Sequence, residues 1–337
     1  MADDELATRA PESDAHETTA TTTTTTETSP IPGDSKADQG AASLGEHCTT
    51  DRPTPSGEQP TGEIAKFNDV DTYIAKPADY PHTPSKLLLL LTGGTGIHSV
   101  NNQLQADKFA AEGFLVAMPD QFAGDPATSV SHNTTTPAEQ NPSILEQVKL
   151  GIASVAKSFT IDMWLARHTS EKVLPILQKA IDGIKEEFAD AVAHGNGIYA
   201  VGYCFGAKYV LLLGSELYAD VAAGQRSPET EAEEGMAKKG PAIKVGAIAH
   251  GTQITVGELE NCKVPLSIVA VEDDSLFPDE IREAGVKKLQ EKSTEHEVQV
   301  YPGVPHGFAV LGDYEDATIK EKQQDAFQQL LQWLKSH

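Results

Sequence analysis

Residues 197–206 read "GIYAVGYCFG". The apolar run "IYAV" reads as a strand, and "FGAKYVLLLGSELYA", starting at Phe205, reads as a helix directly behind it. A strand running straight into a helix needs one sharp turn, and that turn falls on Cys204, with Gly202 and Gly206 two positions to either side. Glycines so spaced permit a crowded elbow that holds the central side chain out above a sheet. A cysteine there also stands at a helix N-terminus, whose partial positive charge favours thiolate over thiol. The same five residues equally suit a small buried cysteine in a glycine-rich turn, so the rest of the chain has to decide.

The flanking sequence repeats the strand–helix grammar. From Ile64, "IAKFNDVDTYIAKP" alternates apolar and polar residues with period two, as in a half-exposed hairpin. "KLLLLLTGGTG" follows, a continuous apolar run that suits a strand buried on both faces and ending at a loop. "SVNNQLQADKFAAEG" then places Val100, Leu104, Phe109 and Ala110 at helical spacing, and the strand "FLVAM" comes next. This βαβ succession implies a parallel sheet with a right-handed crossover. Helices are expected around "ILEQVKLGIASVAKSF" and "EKVLPILQKAIDGIKEEFADAV". Beyond the elbow come strands "VGAIAH" and "PLSIVAV", helix "PDEIREAGVKKLQEK", strand "HEVQVYP" and an amphipathic C-terminal helix "KEKQQDAFQQLLQWLKSH". The expected class is α/β, a doubly wound, mostly parallel sheet flanked by helices. Two polar stretches interrupt it. "AGDPATSVSHNTTTPAEQNPS" follows a strand's carboxyl end, the side where open α/β sheets keep their sites, and is expected to be a lid or entrance. "AAGQRSPETEAEEGMAKKGPA" is expected to be a surface insertion.

A length of 337 residues suits one α/β domain with tails. Residues 1–45 carry the tract "TTATTTTTTETSP" and almost no large apolar side chains, so they read as a disordered acidic tail ahead of a domain over 46–337. No run approaches the roughly 20 apolar residues of a membrane helix, and the acidic start "MADDELATRA" shows no targeting pattern, so a soluble, cytoplasmic protein is expected. The formal charge of -24 argues against nucleic acid and anionic membrane as partners. A monomer or weak homodimer is expected. Cys48, Cys204 and Cys262 form no C-x-x-C pair, which suggests neither disulfide framework nor zinc site. "TGGTG" lacks the G-K-[ST] ending of a phosphate-binding loop, so neither nucleotide, metal nor organic cofactor is expected. Trp164 reads as a core aromatic, and Cys262 in "LENCKVP" as structural.

Two later segments bear on Cys204. "PLSIVAV" runs into "EDDSLFP", offering Glu272, Asp273 and Asp274, and "VQVYP" leads to "GVPHGF" with His306. Singly, the acids suit a solvated turn or a helix cap, and the histidine a surface position. In this order, each after a strand, they follow the nucleophile–acid–histidine sequence of an α/β-hydrolase. An imidazole can hold Cys204 as thiolate and later protonate a leaving group, while a carboxylate orients the ring.

With "NNQLQADKFAAEGFLVAMPDQFAGDP", "GYCFGAKY", "VEDDSLFP" and "HGFAV" in sequence, the chain resembles the dienelactone hydrolase family, its fungal cytosolic members above all, from roughly Gly45 to the C-terminus. The resemblance implies Cys204 as nucleophile, His306 as base and Asp274 as acid, with Asp273 as the runner-up, and hydrolysis of a lactone or activated ester through an acyl-thioester. Two positions depart from it. Gly93 stands where relatives carry an acid that in bacterial members helps activate the cysteine, and Leu311 stands where relatives often place an arginine that grips a substrate carboxylate. Glycine at 93 frees the backbone, so the N–H groups of Gly94 and Phe205 are candidates for an oxyanion hole. A binding or redox-sensing module on the same fold, or a broader thioesterase or peptidase, are the rival readings.

Overall fold

The computed structural model describes residues 49–127, 161–215 and 240–337. The threonine-rich tail, Cys48, residues 128–143 of the expected lid, the helix expected over 144–159, residues 216–219 of the elbow helix and most of the second insertion lie outside the described residues.

Among the described residues, eight strands form one sheet: β1 (Glu63–Phe67), β2 (Val70–Ala75), β3 (Lys86–Leu91), β4 (Phe114–Pro119), β5 (Tyr199–Tyr203), β6 (Val245–Ala249), β7 (Leu266–Val271) and β8 (His296–Tyr301). Their order is β1-β2-β4-β3-β5-β6-β7-β8. The hairpin β1–β2 is antiparallel and β2 also joins β4 antiparallel, whereas every pairing from β4 through β8 is parallel. The helices are α1 (Val100–Ala111), α2 (Ser170–Glu187), α3 (Ala189–Gly195), α4 (Phe205–Leu213), α5 (Val256–Asn261), α6 (Asp279–Glu291) and α7 (Ala317–Ser336). Among the described residues no helix is long and apolar enough to cross a membrane.

The unbroken apolar run of β3 has a simple cause. Leu87, Leu89 and Leu91 enter one core with Val173 and Leu177 of α2 and Val210 of α4, while Leu88 and Leu90 enter the other with Phe109 of α1 and Phe327 of α7. A strand covered on both faces gains from an apolar residue at every position, each buried leucine contributing about 2 kcal/mol. The chain steps from β3 to β4 on one side and returns to β5 on the other. The carboxyl ends of β3 and β5 therefore flank the switch point of the sheet, where such folds open a crevice.

Two local expectations are corrected. Val100 is the first residue of α1, 38 % exposed, because Ser99 caps the helix by accepting the Asn102 N–H at 3.1 Å and turns Val100 outward. The single helix expected over "EKVLPILQKAIDGIKEEFADAV" is two, broken at Phe188 (φ -112°, ψ 41°), whose ring is buried against Phe67 at 5.7 Å. Burying that ring on the hairpin takes precedence over continuing the helix.

Candidate active site

Cys204 lies between β5 and α4 with φ 51° and ψ -114°. This is a region L-residues rarely occupy, and it costs about 1–3 kcal/mol. Both elbow glycines are obligatory. A Cβ on Gly202 would lie 2.6 Å from the Gly206 carbonyl oxygen, and one on Gly206 would lie 2.2 Å from that of Leu91. Three backbone hydrogen bonds hold the turn: the Cys204 N–H donates to Ala249 (3.1 Å), and the Cys204 carbonyl accepts from Ala207 (3.2 Å) and Thr252 (3.1 Å).

His306 and Asp274 converge on this elbow from the loops after β8 and β7. The Nδ1 of His306 lies 2.7 Å from Oδ2 of Asp274, and both side chains are buried. The other carboxylate oxygen accepts the Leu276 N–H at 3.0 Å. Glu272 and Asp273 point to solvent; Asp273 takes φ 56° at the turn, which puts the next residue, Asp274, inward. Burial works against a charge on His306, yet the negative charges of Asp274 and Cys204 outweigh it and push the ring up to about 10. Burial likewise opposes ionisation of Asp274, but His306 and the Leu276 N–H together hold its carboxyl below the usual range.

The loop after β6 contributes two residues that the sequence pattern did not single out. The Oγ1 of Thr252 sits 3.2 Å from the Cys204 sulfur and 3.3 Å from Nε2 of His306. His250, fully buried, meets the His306 ring edge-to-face at 5.0 Å. The one available signal was position: "AHGTQ" follows the carboxyl end of the strand next to the elbow strand.

A small cleft open to solvent reaches Cys204 and is lined by Gly93, Gly94, His250, Leu311 and Tyr314 among others. Gly93 faces the elbow, where a Cβ would come within 3.2 Å of the Cys204 Cβ and 3.7 Å of its sulfur. The Gly93 carbonyl accepts the Gly96 N–H at 3.3 Å, which fixes the plane of the peptide carrying the Gly94 N–H. Phe205 is the first residue of α4, so its N–H has no acceptor within the helix. The segment of residues 50–52 also lines the cleft. It is fastened at several points: Ser99 Oγ donates to Asp51 (2.8 Å), Asn101 Nδ2 to the Arg52 carbonyl (2.7 Å), and the Asp313 N–H to the Pro53 carbonyl (2.8 Å). The Arg52 guanidinium lies over the Tyr314 ring at 4.6 Å. Burial holds the Asp51 carboxyl above its ordinary range, despite the hydroxyl groups of Ser99 and Thr95.

The remaining sequence candidates sit elsewhere. Trp164 is wholly buried, donates its Nε1–H to the Asp125 carbonyl at 2.7 Å and packs edge-on to Phe205. Cys262 is buried, and that burial pushes its thiol up to about 11. Among the described residues no cluster of three or more His, Cys, Asp or Glu side chains could hold a metal ion.

A mostly parallel sheet of this strand order, turning through a strained elbow beside its switch point with a buried histidine–carboxylate pair above it, is the architecture of the α/β-hydrolases. Within them the chain belongs to the dienelactone hydrolase family, whose family model matches residues 70–337, and it is a dienelactone-hydrolase-like hydrolase. It is 29 % identical over 276 residues to hydrolase pyvD of Aspergillus violaceofuscus, covering 82 % of this chain and 90 % of that protein. It is 27 % identical over 277 residues to dienlactone hydrolase 1 of Gibberella moniliformis, covering 82 % and 88 %. Among solved structures, a Klebsiella pneumoniae protein assigned to the dienelactone hydrolases superposes with a TM-score of 0.56 at 16 % identity, over 83 % of this chain and all of that one. Esterase 2 of Thermogutta terrifontis superposes with a TM-score of 0.51 at 15 % identity, over 80 % of this chain and 93 % of that one.

Proposed function

We propose that the protein hydrolyses a small lactone or activated ester with Cys204 as nucleophile, His306 as base and Asp274 as the carboxylate that orients the imidazole. The observation that carries this reading is the short Asp274–His306 bond, 2.7 Å between buried side chains, aimed at the strained elbow of Cys204. A carboxylate on Nδ1 fixes the ring with Nε2 toward the sulfur and offsets the imidazolium charge. The Cys204 thiolate attacks the carbonyl carbon, and the N–H groups of Gly94 and Phe205 receive the charge that develops on its oxygen. Collapse breaks the carbon–oxygen bond of the ester, His306 gives its proton to the departing oxygen, and an acyl-thioester remains. Water then attacks that thioester as His306 takes its proton, which releases the acid and restores the thiolate–imidazolium pair. The chemistry needs no metal or organic cofactor. Leu311 lines the cleft where relatives often carry an arginine that grips a carboxylate, which favours a neutral ester or lactone.

A panel of lactones and aryl esters assayed with wild type and Cys204→Ala in parallel tests this. The expected result is hydrolysis by wild type that falls in proportion to alkylation of one thiol, and none above background by Cys204→Ala at an unchanged melting temperature. Activity retained by Cys204→Ala would overturn the nucleophile assignment. Absence of turnover across the panel, with ligand binding intact, would favour the binding-module reading.

A further inference from the structure

The hydroxyl of Thr252 lies within hydrogen-bond distance of both the Cys204 sulfur and His306 Nε2 (3.2 and 3.3 Å). The residue is 1 % exposed. Its own N–H is bonded to the Cys204 carbonyl, and the neighbouring His250 N–H is bonded to Val269 of β7 at 2.8 Å. The hydroxyl is therefore fixed to the elbow and to the sheet at once.

We propose that Thr252 is the hydrogen-bond bridge of the resting site: its hydroxyl joins the Cys204 sulfur to His306 and helps hold the two as a charged pair. The proposal rests on the reading of Cys204 as nucleophile and His306 as base. A threonine hydroxyl offers one proton and two lone pairs. In the neutral pair, His306 keeps its proton on Nδ1 toward Asp274; the thiol then donates to Oγ1, and Oγ1 donates to the bare Nε2. In the charged pair the chain runs the other way, Nε2–H donating to Oγ1 and Oγ1–H to the thiolate. Passage from the first state to the second breaks the S–H bond and the original Oγ1–H bond, and forms a new Oγ1–H bond and an Nε2–H bond. The hydroxyl begins and ends neutral, and one proton has moved from sulfur to nitrogen. Every buried donor on this line keeps an acceptor in both states, which an apolar side chain at 252 could not provide.

The charged groups around the line set its balance. Asp274 stands behind His306 from the loop after β7, His250 meets the ring from the loop after β6, and Asp51 and Arg52 line the cleft that reaches the sulfur. Asp274 and the thiolate both favour a proton on His306, so the charged arrangement is the resting one. The elevation of His306 agrees with it. When the sulfur attacks a carbonyl it gives up the Thr252 hydrogen bond, and the Nε2–H becomes available to the departing oxygen.

The test compares Thr252→Val, Thr252→Ala and Thr252→Ser with wild type by the pH profile of iodoacetamide alkylation at Cys204 and by steady-state ester hydrolysis, with melting temperatures to show that each variant folds. A hydrogen bond to a charged group is worth roughly tenfold or more in a rate that depends on it. Thr252→Val and Thr252→Ala should therefore lose about tenfold or more in alkylation near pH 7, recover towards high pH, and lose kcat with little change in KM; Thr252→Ser should keep the wild-type profile. A Thr252→Val or Thr252→Ala profile superimposable on wild type overturns the bridge, as does a folded Thr252→Ser that behaves like Thr252→Val. These results stay separate from the nucleophile reading, which fails only if Cys204→Ala still turns over ester.

Discussion

Replacing Asp274 with Asn removes one charge from the centre of the site and almost no volume. Its carboxylate is 2.7 Å from His306 Nδ1 in a buried environment. Burial by itself favours the neutral ring, yet Asp274 and Cys204 together lift His306 from 6.5 to about 10. At 1.36 kcal/mol for each pH unit, that gap represents about 5 kcal/mol of preference for the imidazolium. Asp274 is the larger of the two lifting charges, so its loss removes a large part of that preference, on the order of 2 kcal/mol or more. The His306 titration in Asp274→Asn should fall by more than about one pH unit, and acylation should fall about 100-fold with KM little changed. The pH dependence of stability has a definite sign. The elevated His306 contributes stability that is complete below its unfolded value near 6.5 and is lost as pH rises through about 10. The lowered Asp274 contributes stability that is present above its unfolded value and lost as pH falls through the folded one. Both losses should flatten in the variant. NMR titration of the His306 ring nitrogens and urea unfolding at a series of pH values measure this. A His306 titration in Asp274→Asn no lower than in wild type, or an unchanged alkaline decline, would refute the electrostatic account.

Two further outcomes follow from the cleft walls. Gly93→Glu puts a Cβ 3.2 Å from that of Cys204 and a carboxylate beside its sulfur; alkylation near pH 7 should slow about tenfold or more and its profile move to higher pH, and an unaltered profile would show that position 93 does not sense the thiolate. Deleting residues 1–45 should leave melting temperature and hydrolysis as they are, whereas deleting residues 1–55 removes Asp51 and Arg52 from the cleft and should raise KM severalfold; equal behaviour of the two truncations in both assays would rule the wall out.

What the sequence revealed and what it hid follow from the range of the interactions involved. The strands of the parallel sheet were legible because burial on two faces leaves an unbroken apolar run, as Leu87 to Leu91 show. The elbow was legible because two glycines are forced by contacts within five residues and one neighbouring strand. Asp273 and Asp274 are equivalent as sequence, and only the turn at Asp273 sends one outward and the other to His306. Thr252 was hidden for another reason. A threonine after a strand carries no pattern, and its meaning comes from two partners 48 and 54 residues away. The segment at 50–52 is polar and proline-flanked, like a linker, and only its bonds to Ser99, Asn101 and Asp313 make it a wall. Val100 and Phe188 misled for a third reason: cap geometry and one buried ring overrode a sound helical period.

The strain at Cys204 and the position of its partners are one arrangement. A backbone held at φ 51° costs about 1–3 kcal/mol and would relax if it were free to do so. It is held by the Ala249 carbonyl, which extends the β5–β6 ladder by one residue, and by the N–H groups of Ala207 and Thr252. Each of these hydrogen bonds contributes about 1 kcal/mol, which together offsets the strain. Thr252 thus acts on Cys204 twice, through its N–H on the backbone and through its hydroxyl on the sulfur. Relaxation of the elbow would withdraw the sulfur from His306 and break both contacts, so the strained turn and the Thr252 bridge stand or fall together.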